Sequence, residues 1–129
     1  MSTATTNASV VDFLEVVDQM DATALSRAFT EDGSFRFGNN EAAVGRREIE
    51  RSVSAFFSMI GGLTHEITGI WSGSWEAGDV RSVESWVTYL RLDGSEIRIP
   101  ATTTFRLQGD LIRDCRVYID VAPLFAGPE

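Results

Sequence analysis

The chain contains one histidine and no lysine among its 129 residues, and this restricts the chemistry open to it. Without lysine it cannot form a Schiff base with a carbonyl substrate. One histidine also cannot supply a two-histidine metal site. Histidine is the side chain whose charge ordinarily changes near neutral pH, so His65 is the first candidate for proton transfer. The alternative is a structural histidine held in place by hydrogen bonds.

Three other side chains could take part in chemistry. Tyr89 could donate a hydrogen bond to a ligand oxygen, or it could be a core residue with its hydroxyl at the rim. Asp120 could be an acid or base, or it could form a salt bridge with Arg98 or Arg116. Cys115 lies in a predicted strand with no second histidine to activate it, and we interpret it as structural. Dispersed carboxylates with one histidine predict no metal site, and we expect no cofactor.

Composition predicts one globular domain in a reducing compartment. A length of 129 residues and a hydrophobic content of 43% are ordinary for such a domain. A net charge of −8 with scattered arginines disfavours binding to nucleic acid or to anionic membranes. A single cysteine and a start without a signal-peptide pattern favour the cytoplasm. We expect a disordered tail over 1–8, one domain over 9–125 and a C-terminal tail over 126–129.

The N-terminal half predicts three helices. Ser9 begins a capping-box pattern, followed at helical spacing by Val10, Phe13, Leu14 and Val17. Asp21 can cap a second helix that carries Leu25, Ala28 and Phe29. The third and clearest helix runs over 46–60, with apolar residues at Ile49, Val53, Phe56, Phe57 and Ile60. Gly61 and Gly62 are expected to end it.

The remaining chain predicts strands. Residues 34–37 form a short strand after a turn at Glu31-Asp32-Gly33, and longer strands cover 63–72, 79–92, 95–107 and 111–121. Tight turns at Asp93-Gly94 and Gly109-Asp110 predict hairpins and an antiparallel sheet. Pro100 inside a strand indicates an edge, a bulge or a bend. The predicted fold class is α+β, with three helices packed on a long curved sheet around an apolar cavity.

Period-two alternation predicts which strand residues face this cavity. Residues at Ser85, Val87 and Tyr89 share one face, and we expect Ala101, Thr103 and Val117 to join them. Such a cavity is mainly apolar and suits an apolar ligand with one or two oxygens. If Val117 faces the cavity, Asp120 faces away from it. The three tryptophans could cap a ligand or cover the outer sheet face; they are Trp71, Trp75 and Trp86.

Several phrases in this order resemble the nuclear transport factor 2-like superfamily, in particular its SnoaL-like and ketosteroid-isomerase-like members. The phrases are AFTEDGSFRF, VGRREIERSVSAFF, DGSEIRIPATTTFRLQGDLIRDCRVYID and APLF. The resemblance covers residues 9–125. It implies a cone-shaped fold and a homodimer formed through the outer sheet face. Because this fold hosts many activities, the resemblance does not by itself give the reaction.

The best-known catalytic sets of these relatives are missing from this chain. The tyrosine and two acids of ketosteroid isomerases fall at Phe13, Phe37 and Ala101. The arginine and acids of limonene epoxide hydrolases fall at Ser85, Val87 and Val117. Neither mechanism is therefore expected here. We expect these positions to contact the substrate, together with Phe56 and Thr103.

Other relatives suggest which residues could act instead. Dehydratase-like members carry a catalytic histidine on the strand after the third helix, where His65 lies. SnoaL-like cyclases use an aspartate in the C-terminal half, for which Asp120 is a counterpart. The sequence hypothesis is a cofactor-independent isomerase, cyclase or dehydratase acting on a polyketide- or steroid-like substrate, with His65, Tyr89 and Asp120 as catalytic residues. The alternative is a non-catalytic module for ligand binding or dimerisation.

Overall fold

A computed structural model describes residues 3–126, with side chains from residue 9 onward. The helices are α1 (Thr3–Asp18), α2 (Ala22–Arg27), α3 (Arg46–Phe57) and a short C-terminal α4 (Ala122–Phe125). The strands are β1 (Phe29–Phe37), β2 (Ala43–Val44), β3 (Gly62–Trp75), β4 (Gly78–Leu90), β5 (Glu96–Gln108) and β6 (Leu111–Tyr118). They form one six-stranded sheet in the order β2-β1-β6-β5-β4-β3. The predicted α+β class and the three N-terminal helices are confirmed.

The first two helices differ from prediction at their ends. Helix α1 begins at Thr3, so Ser9 lies inside it and does not cap it. Residues 3–8, predicted as part of a disordered tail, contain no glycine or proline that would stop the helix. Residues 1–2 and 127–129, which hold the rest of the predicted tails, lie outside the described residues. Helix α2 is capped as predicted, since the Asp21 carboxylate accepts a hydrogen bond from the Ala24 N–H at 3.0 Å.

The third helix packs its apolar side on the rest of the fold through Ile49, Val53 and Phe57. It ends at Phe57, three residues before the predicted end. Gly61 donates its N–H to the Leu90 carbonyl at 2.8 Å, and Gly62 begins β3. The two glycines therefore lead into the sheet, after the helix has already ended.

The sheet is mixed, which corrects the prediction of a purely antiparallel sheet. Strands β3 to β6 are antiparallel neighbours, and Gly94 (φ +90°) and Gly109 (φ +62°) make the predicted hairpin turns. Strand β1, however, pairs with β6 in parallel. The chain from β1 to β6 passes through α3 and four strands, so no tight turn fixes their relative direction. The turn predicted at Glu31-Asp32-Gly33 is part of β1, where the pairing with β6 shifts register.

Several strand boundaries also moved. Phe29, expected in helix α2, begins β1, while β3 continues to Trp75 and leaves only residues 76–77 as a turn. Strand β6 ends at Tyr118 and does not reach residue 121. Pro100 lies in β5 beyond the last β5–β6 pair, Thr102 with Tyr118, so no β6 residue needs its missing N–H. This is the edge-like position that a proline in a strand favours.

The alternation predicted along the strands is confirmed. On β4 the buried side chains include those of Val83, Ser85, Val87 and Tyr89, and on β5 those of Ile99, Ala101, Thr103 and Phe105. Helices α1 and α2 contribute Phe13, Leu14 and Leu25 to the same apolar layer. This layer is the hydrophobic core, and it surrounds a cavity on the inner side of the sheet.

Candidate active site

A cavity of about 260 Å³ lies between the inner face of the sheet and helices α1 and α3. Its walls are mainly aromatic and aliphatic, and an exposed rim is formed by Asn40, Ser52, Ala55 and Met59. Most of the residues predicted from the sequence line it: Phe13, Phe37, Phe56, His65, Val87, Tyr89, Thr103 and Val117. The volume is slightly below the usual range for ligand pockets, about 300–1,000 Å³, so the cavity suits a small ligand.

His65 is held by Asp18, the last residue of helix α1. The Nδ1 atom of His65 lies 2.6 Å from Oδ1 of Asp18, and the backbone N–H of His65 donates to Oδ2 at 3.0 Å. Because an ionised carboxylate only accepts hydrogen bonds, Nδ1 carries the proton in this pair. The two side chains are 10% and 24% exposed, so the pair is largely shielded from water.

This bond fixes the role of the other ring nitrogen. A neutral imidazole with its proton on Nδ1 presents an unprotonated Nε2. Within the part of the chain that the structure describes, Nε2 of His65 has no hydrogen-bond partner. Since His65 lines the cavity, this nitrogen is available to accept a proton from a bound molecule.

Tyr89 lies beside His65 on the inner face. Leu63 pairs with Tyr89 and His65 pairs with Val87, so the tyrosine is a diagonal neighbour of the histidine across β3 and β4. Burial and, to a lesser extent, the negative charge of Asp18 raise the pKa of Tyr89 well above its ordinary value. Its hydroxyl therefore stays protonated at neutral pH, and it makes no hydrogen bond to another described residue. It can donate one to a ligand oxygen.

Cys115 also lines the cavity, but its chemistry is suppressed. The side chain is fully buried, and burial, with the nearby Asp114 carboxylate, raises the pKa of its thiol. A protonated thiol is a poor nucleophile. Cys115 therefore contributes apolar surface to the cavity, in keeping with its interpretation from the sequence.

Two predicted substrate contacts do not reach the cavity. Ser85 and Ala101 face each other on β4 and β5 and point to the inner side, yet neither is part of the lining. Both side chains are short, and the wall is formed by longer neighbours such as Val87 and Thr103. The Ser85 hydroxyl is sealed from solvent and has no partner among the described residues.

Asp120 lies outside the site, which corrects its assignment as a catalytic residue. It is exposed, and its Oδ1 accepts a hydrogen bond from the Ala122 N–H at 3.0 Å, at the start of α4. The predicted pairing with an arginine is also wrong, because Arg98 binds Glu66 at 2.7 Å and Arg116 binds Asp114 at 2.8 Å. Because β6 ends at Tyr118, Asp120 lies in the connection to α4, beyond the strand that carries Val117 to the cavity.

None of the three tryptophans lines the cavity. Trp71 is 56% exposed, and the indole N–H of Trp75 donates to the Leu107 carbonyl at 2.9 Å. Trp86 alternates with the inward residues of β4, and the Arg98 guanidinium lies 4.3 Å from its ring centre. The expectation that a tryptophan caps the ligand therefore has no support in the described geometry.

Asp18 is the residue of this candidate site that the sequence did not reveal. It ends helix α1 and is separated from His65 by 47 positions, so no local spacing connects them. The available signal was an acidic residue at a helix C-terminus, where the helix dipole disfavours negative charge unless a partner compensates it. In the structure, that compensation comes from the two hydrogen bonds of His65.

The described residues contain no group of three or more side chains suited to hold a metal ion. No helix in the described part of the chain is long and apolar enough to cross a membrane.

Comparison with solved structures shows the same fold. A putative SnoaL-like polyketide cyclase from Jannaschia sp. CCS1 shares 16% identity over 99% of this chain and 98% of its own, with a TM-score of 0.78. A protein from Catenulispora acidiphila with a ketosteroid-isomerase-like fold, in complex with trimethylamine, shares 20% identity over 85% and 83%, with a TM-score of 0.74. The epoxide hydrolase/cyclase-like enzyme SalBIII, of pyran ring formation in the polyether salinomycin, shares 17% identity over 91% and 92%, also with a TM-score of 0.74.

No curated protein gives a significant match to this sequence. The SnoaL-like domain family, in contrast, matches residues 10–115, which include α2, α3 and most of the sheet. The match covers both His65 and Asp18. The chain therefore belongs to the SnoaL-like domain family.

Proposed function

We propose that this protein is a cofactor-independent enzyme that transfers a proton on an apolar, oxygenated small molecule. The observation that carries the proposal is the hydrogen-bonded pair of His65 and Asp18, which leaves Nε2 unpartnered on the wall of an apolar cavity. This arrangement contains a base, a group that orients it and a space for the reacting atom.

The proposed reaction begins with Nε2 of His65 taking a proton from a carbon next to a carbonyl. The electron pair of that C–H bond moves toward the carbonyl oxygen, and Tyr89 donates a hydrogen bond to it. Asp18 and the negative end of helix α1 stabilise the imidazolium that forms. The imidazolium then returns the proton to another carbon, which gives isomerisation, or to a leaving hydroxyl, which gives dehydration.

We expect both His65 and Tyr89 to contribute strongly to the reaction rate. A positioned general base contributes roughly 10²–10⁴-fold to rate. One hydrogen-bond donor to a developing oxyanion contributes roughly 10²–10³-fold. Both contributions are favoured in a shielded cavity, where electrostatic interactions are stronger than in water.

The substrate class is inferred from the cavity and supported by the comparisons. Phenylalanines and aliphatic side chains dominate the lining, and the polar groups are few and separate. Structural neighbours include a protein described as a SnoaL-like polyketide cyclase and one described by its role in pyran ring formation. We therefore propose a cyclic ketone or a related polyketide-like molecule. The open cavity with its unpartnered imidazole nitrogen disfavours the alternative of a module filled by its own side chains.

We also propose that the outer sheet face forms a homodimer in the cytoplasm. This face carries Trp86, Pro100 and Tyr118, and Tyr118 is 57% exposed. Trp86 is partly exposed, and tyrosine and tryptophan are enriched in protein–protein interfaces. Analytical ultracentrifugation of wild type and Tyr118→Glu tests this, since the charged variant should sediment as a monomer. If wild type still sediments as a monomer at a protein concentration of about 100 µM, the proposed homodimer is excluded.

The test of catalysis is hydrogen–deuterium exchange, followed by NMR in D₂O. Thermal-shift screening of cyclic ketones first identifies a ligand that stabilises the protein. Wild type should then speed deuterium incorporation next to the carbonyl, and His65→Gln should reduce the rate to near the uncatalysed value while still binding the ketone. Equal exchange by the two proteins would exclude His65 as the base. A ketone that binds without accelerated exchange would favour the non-catalytic alternative.

A further inference from the structure

Thr103 is a second polar point in the cavity, remote from His65. It is only 3% exposed, yet it lines the cavity from the inner face of β5. No other described residue forms a hydrogen bond with its hydroxyl, and the Thr103 oxygen, unlike that of Ser85, is not sealed from solvent. The hydroxyl is therefore accessible from the cavity, where it can form a hydrogen bond with a polar atom that a valine could not bind.

The surroundings of Thr103 do not explain its hydroxyl. Its cross-strand partners are Val83 on β4 and Val117 on β6, and both are apolar. The next residue, Thr104, is different, since its hydroxyl lies 2.9 Å from that of Ser82 on the opposite face of the sheet. A polar atom that faces only apolar side chains and a cavity is placed to meet a polar atom of the occupant.

The sheet register gives the distance between the two polar points. His65 pairs with Val87, which pairs with Ile99, and Thr103 lies four residues farther along β5. Four residues of strand span about 13 Å, and the two strand spacings between β3 and β5 add about 10 Å across the sheet, so the backbone positions of His65 and Thr103 are about 16 Å apart along the sheet. Because the inner face is concave and both side chains point into the cavity, their polar atoms are separated by less, on the order of 10–15 Å.

We propose that the ligand has two oxygen functions, one near each end of an elongated apolar frame. Its reacting carbonyl lies at His65 and Tyr89, and Thr103 forms a hydrogen bond with the distal oxygen. This inference rests on the proposed function, in that the cavity is taken as the substrate site, and it adds the spacing of the polar groups. Thr103 is then a specificity-determining residue that selects two-ended ligands over their one-ended analogues.

A matched pair of probes tests this directly. 4-Phenylcyclohexanone carries only the carbonyl, and 4-(4-hydroxyphenyl)cyclohexanone adds one hydroxyl at the far end. Their dissociation constants can be measured by calorimetric titration with wild type, Thr103→Val and Thr104→Val. Thr104→Val is the control, because it removes a threonine hydroxyl from the same strand on the opposite face.

We expect wild type and Thr104→Val to bind the hydroxylated probe about tenfold more tightly than the other probe. Thr103→Val should lose that preference while binding 4-phenylcyclohexanone as wild type does. Equal affinity of wild type for both probes, weakening of both probes by Thr103→Val, or no binding of either at millimolar concentration would overturn the proposal.

Repeating the titrations with His65→Gln separates this inference from the proposed function. If the preference survives in that variant but no protein accelerates deuterium exchange, the cavity is a two-point binding site and the catalytic proposal fails. If exchange is accelerated but the preference is absent, the role of Thr103 fails alone.

Discussion

Replacing Asp18 with asparagine should invert the proton positions on His65. The asparagine side chain has nearly the same shape, but one of its two terminal atoms becomes an N–H donor. If its oxygen keeps the bond to the backbone N–H of His65, its nitrogen faces Nδ1. Nδ1 must then accept, so the proton moves to Nε2 and the cavity loses its base.

The expected losses follow from the two bonds. A base in the wrong tautomer forfeits roughly 10²–10⁴-fold of exchange rate, the range expected for general-base catalysis. Hydrogen bonds to a charged group contribute about 1.5–3 kcal/mol, and Asp18→Asn keeps both contacts in neutral form. We therefore expect the free energy of unfolding to fall by only about 1–2 kcal/mol, with a fall in Tm of about 3–8 °C.

The single histidine makes the measurement simple, because only one imidazole contributes to the ¹⁵N spectrum. Long-range ¹H–¹⁵N correlation distinguishes the protonated from the unprotonated ring nitrogen. When the imidazole is neutral, Nδ1 should carry the proton in wild type, and Nε2 should carry it in Asp18→Asn. The exchange rate of a bound ketone, measured on the same samples, should fall in parallel.

Asp12→Asn is the matched control, since it removes the same charge from an exposed position of the same helix. It should leave both the tautomer and the exchange rate unchanged. A wild-type spectrum with the proton on Nε2, or an Asp18→Asn variant with full exchange activity, would refute the assignment of Asp18 as the residue that positions His65.

Three further predictions concern residues around the site. Ser85→Ala should leave exchange unchanged and be neutral or stabilising by about 1 kcal/mol in urea unfolding, because it removes a sealed hydroxyl without a partner; a tenfold loss of exchange would restore Ser85 as a substrate contact. Asp120→Ala should lower stability by about 0.5–1 kcal/mol, since it loses the bond to the Ala122 N–H, and exchange should stay within twofold of wild type; a large loss would return Asp120 to the active site. We expect the buried thiol of Cys115 to lower stability at alkaline pH. In the unfolded chain the thiol ionises near its usual pKa of 9.0, while in the folded protein burial keeps it protonated. The free energy of unfolding is therefore unaffected below pH 9 and falls above it by up to about 1.4 kcal/mol per pH unit. Cys115→Ala should show a smaller fall between pH 9 and 10, and an unchanged slope would show that the thiol is not responsible.

The local sequence pattern predicted those features of the fold that depend on interactions between neighbouring residues. The glycine turns at Gly94 and Gly109 and the alternation around Val87 were read correctly, because each depends on a few neighbouring residues. The parallel pairing of β1 with β6 was missed, since it joins distant segments and no turn sequence records it. The start of α1 was missed because Ser9 satisfies a capping pattern equally well inside a helix.

The residues of the candidate site fall into the same two groups, those that the sequence predicted and those that depend on packing between distant elements. Family resemblance and strand period were enough to propose His65, Tyr89 and Thr103, all of which line the cavity. The partner of His65 depends on where the end of α1 meets β3, which is a matter of packing between elements. Asp120 was proposed against the strand period, and in the structure it is exposed beyond the end of β6 and does not line the cavity.

The bond from the His65 backbone N–H to Asp18 has a consequence beyond catalysis. Strand β3 is the last strand of the sheet, and its outer edge offers unpaired N–H groups to any strand of another molecule. The Asp18 carboxylate occupies one of these groups and places a negative charge at that edge. The Asp18 side chain thus orients the imidazole and also hinders pairing of the β3 edge with strands of other molecules. Variants that remove it, such as Asp18→Ala, should aggregate more readily on storage than their loss of stability alone explains, which light scattering over days would reveal.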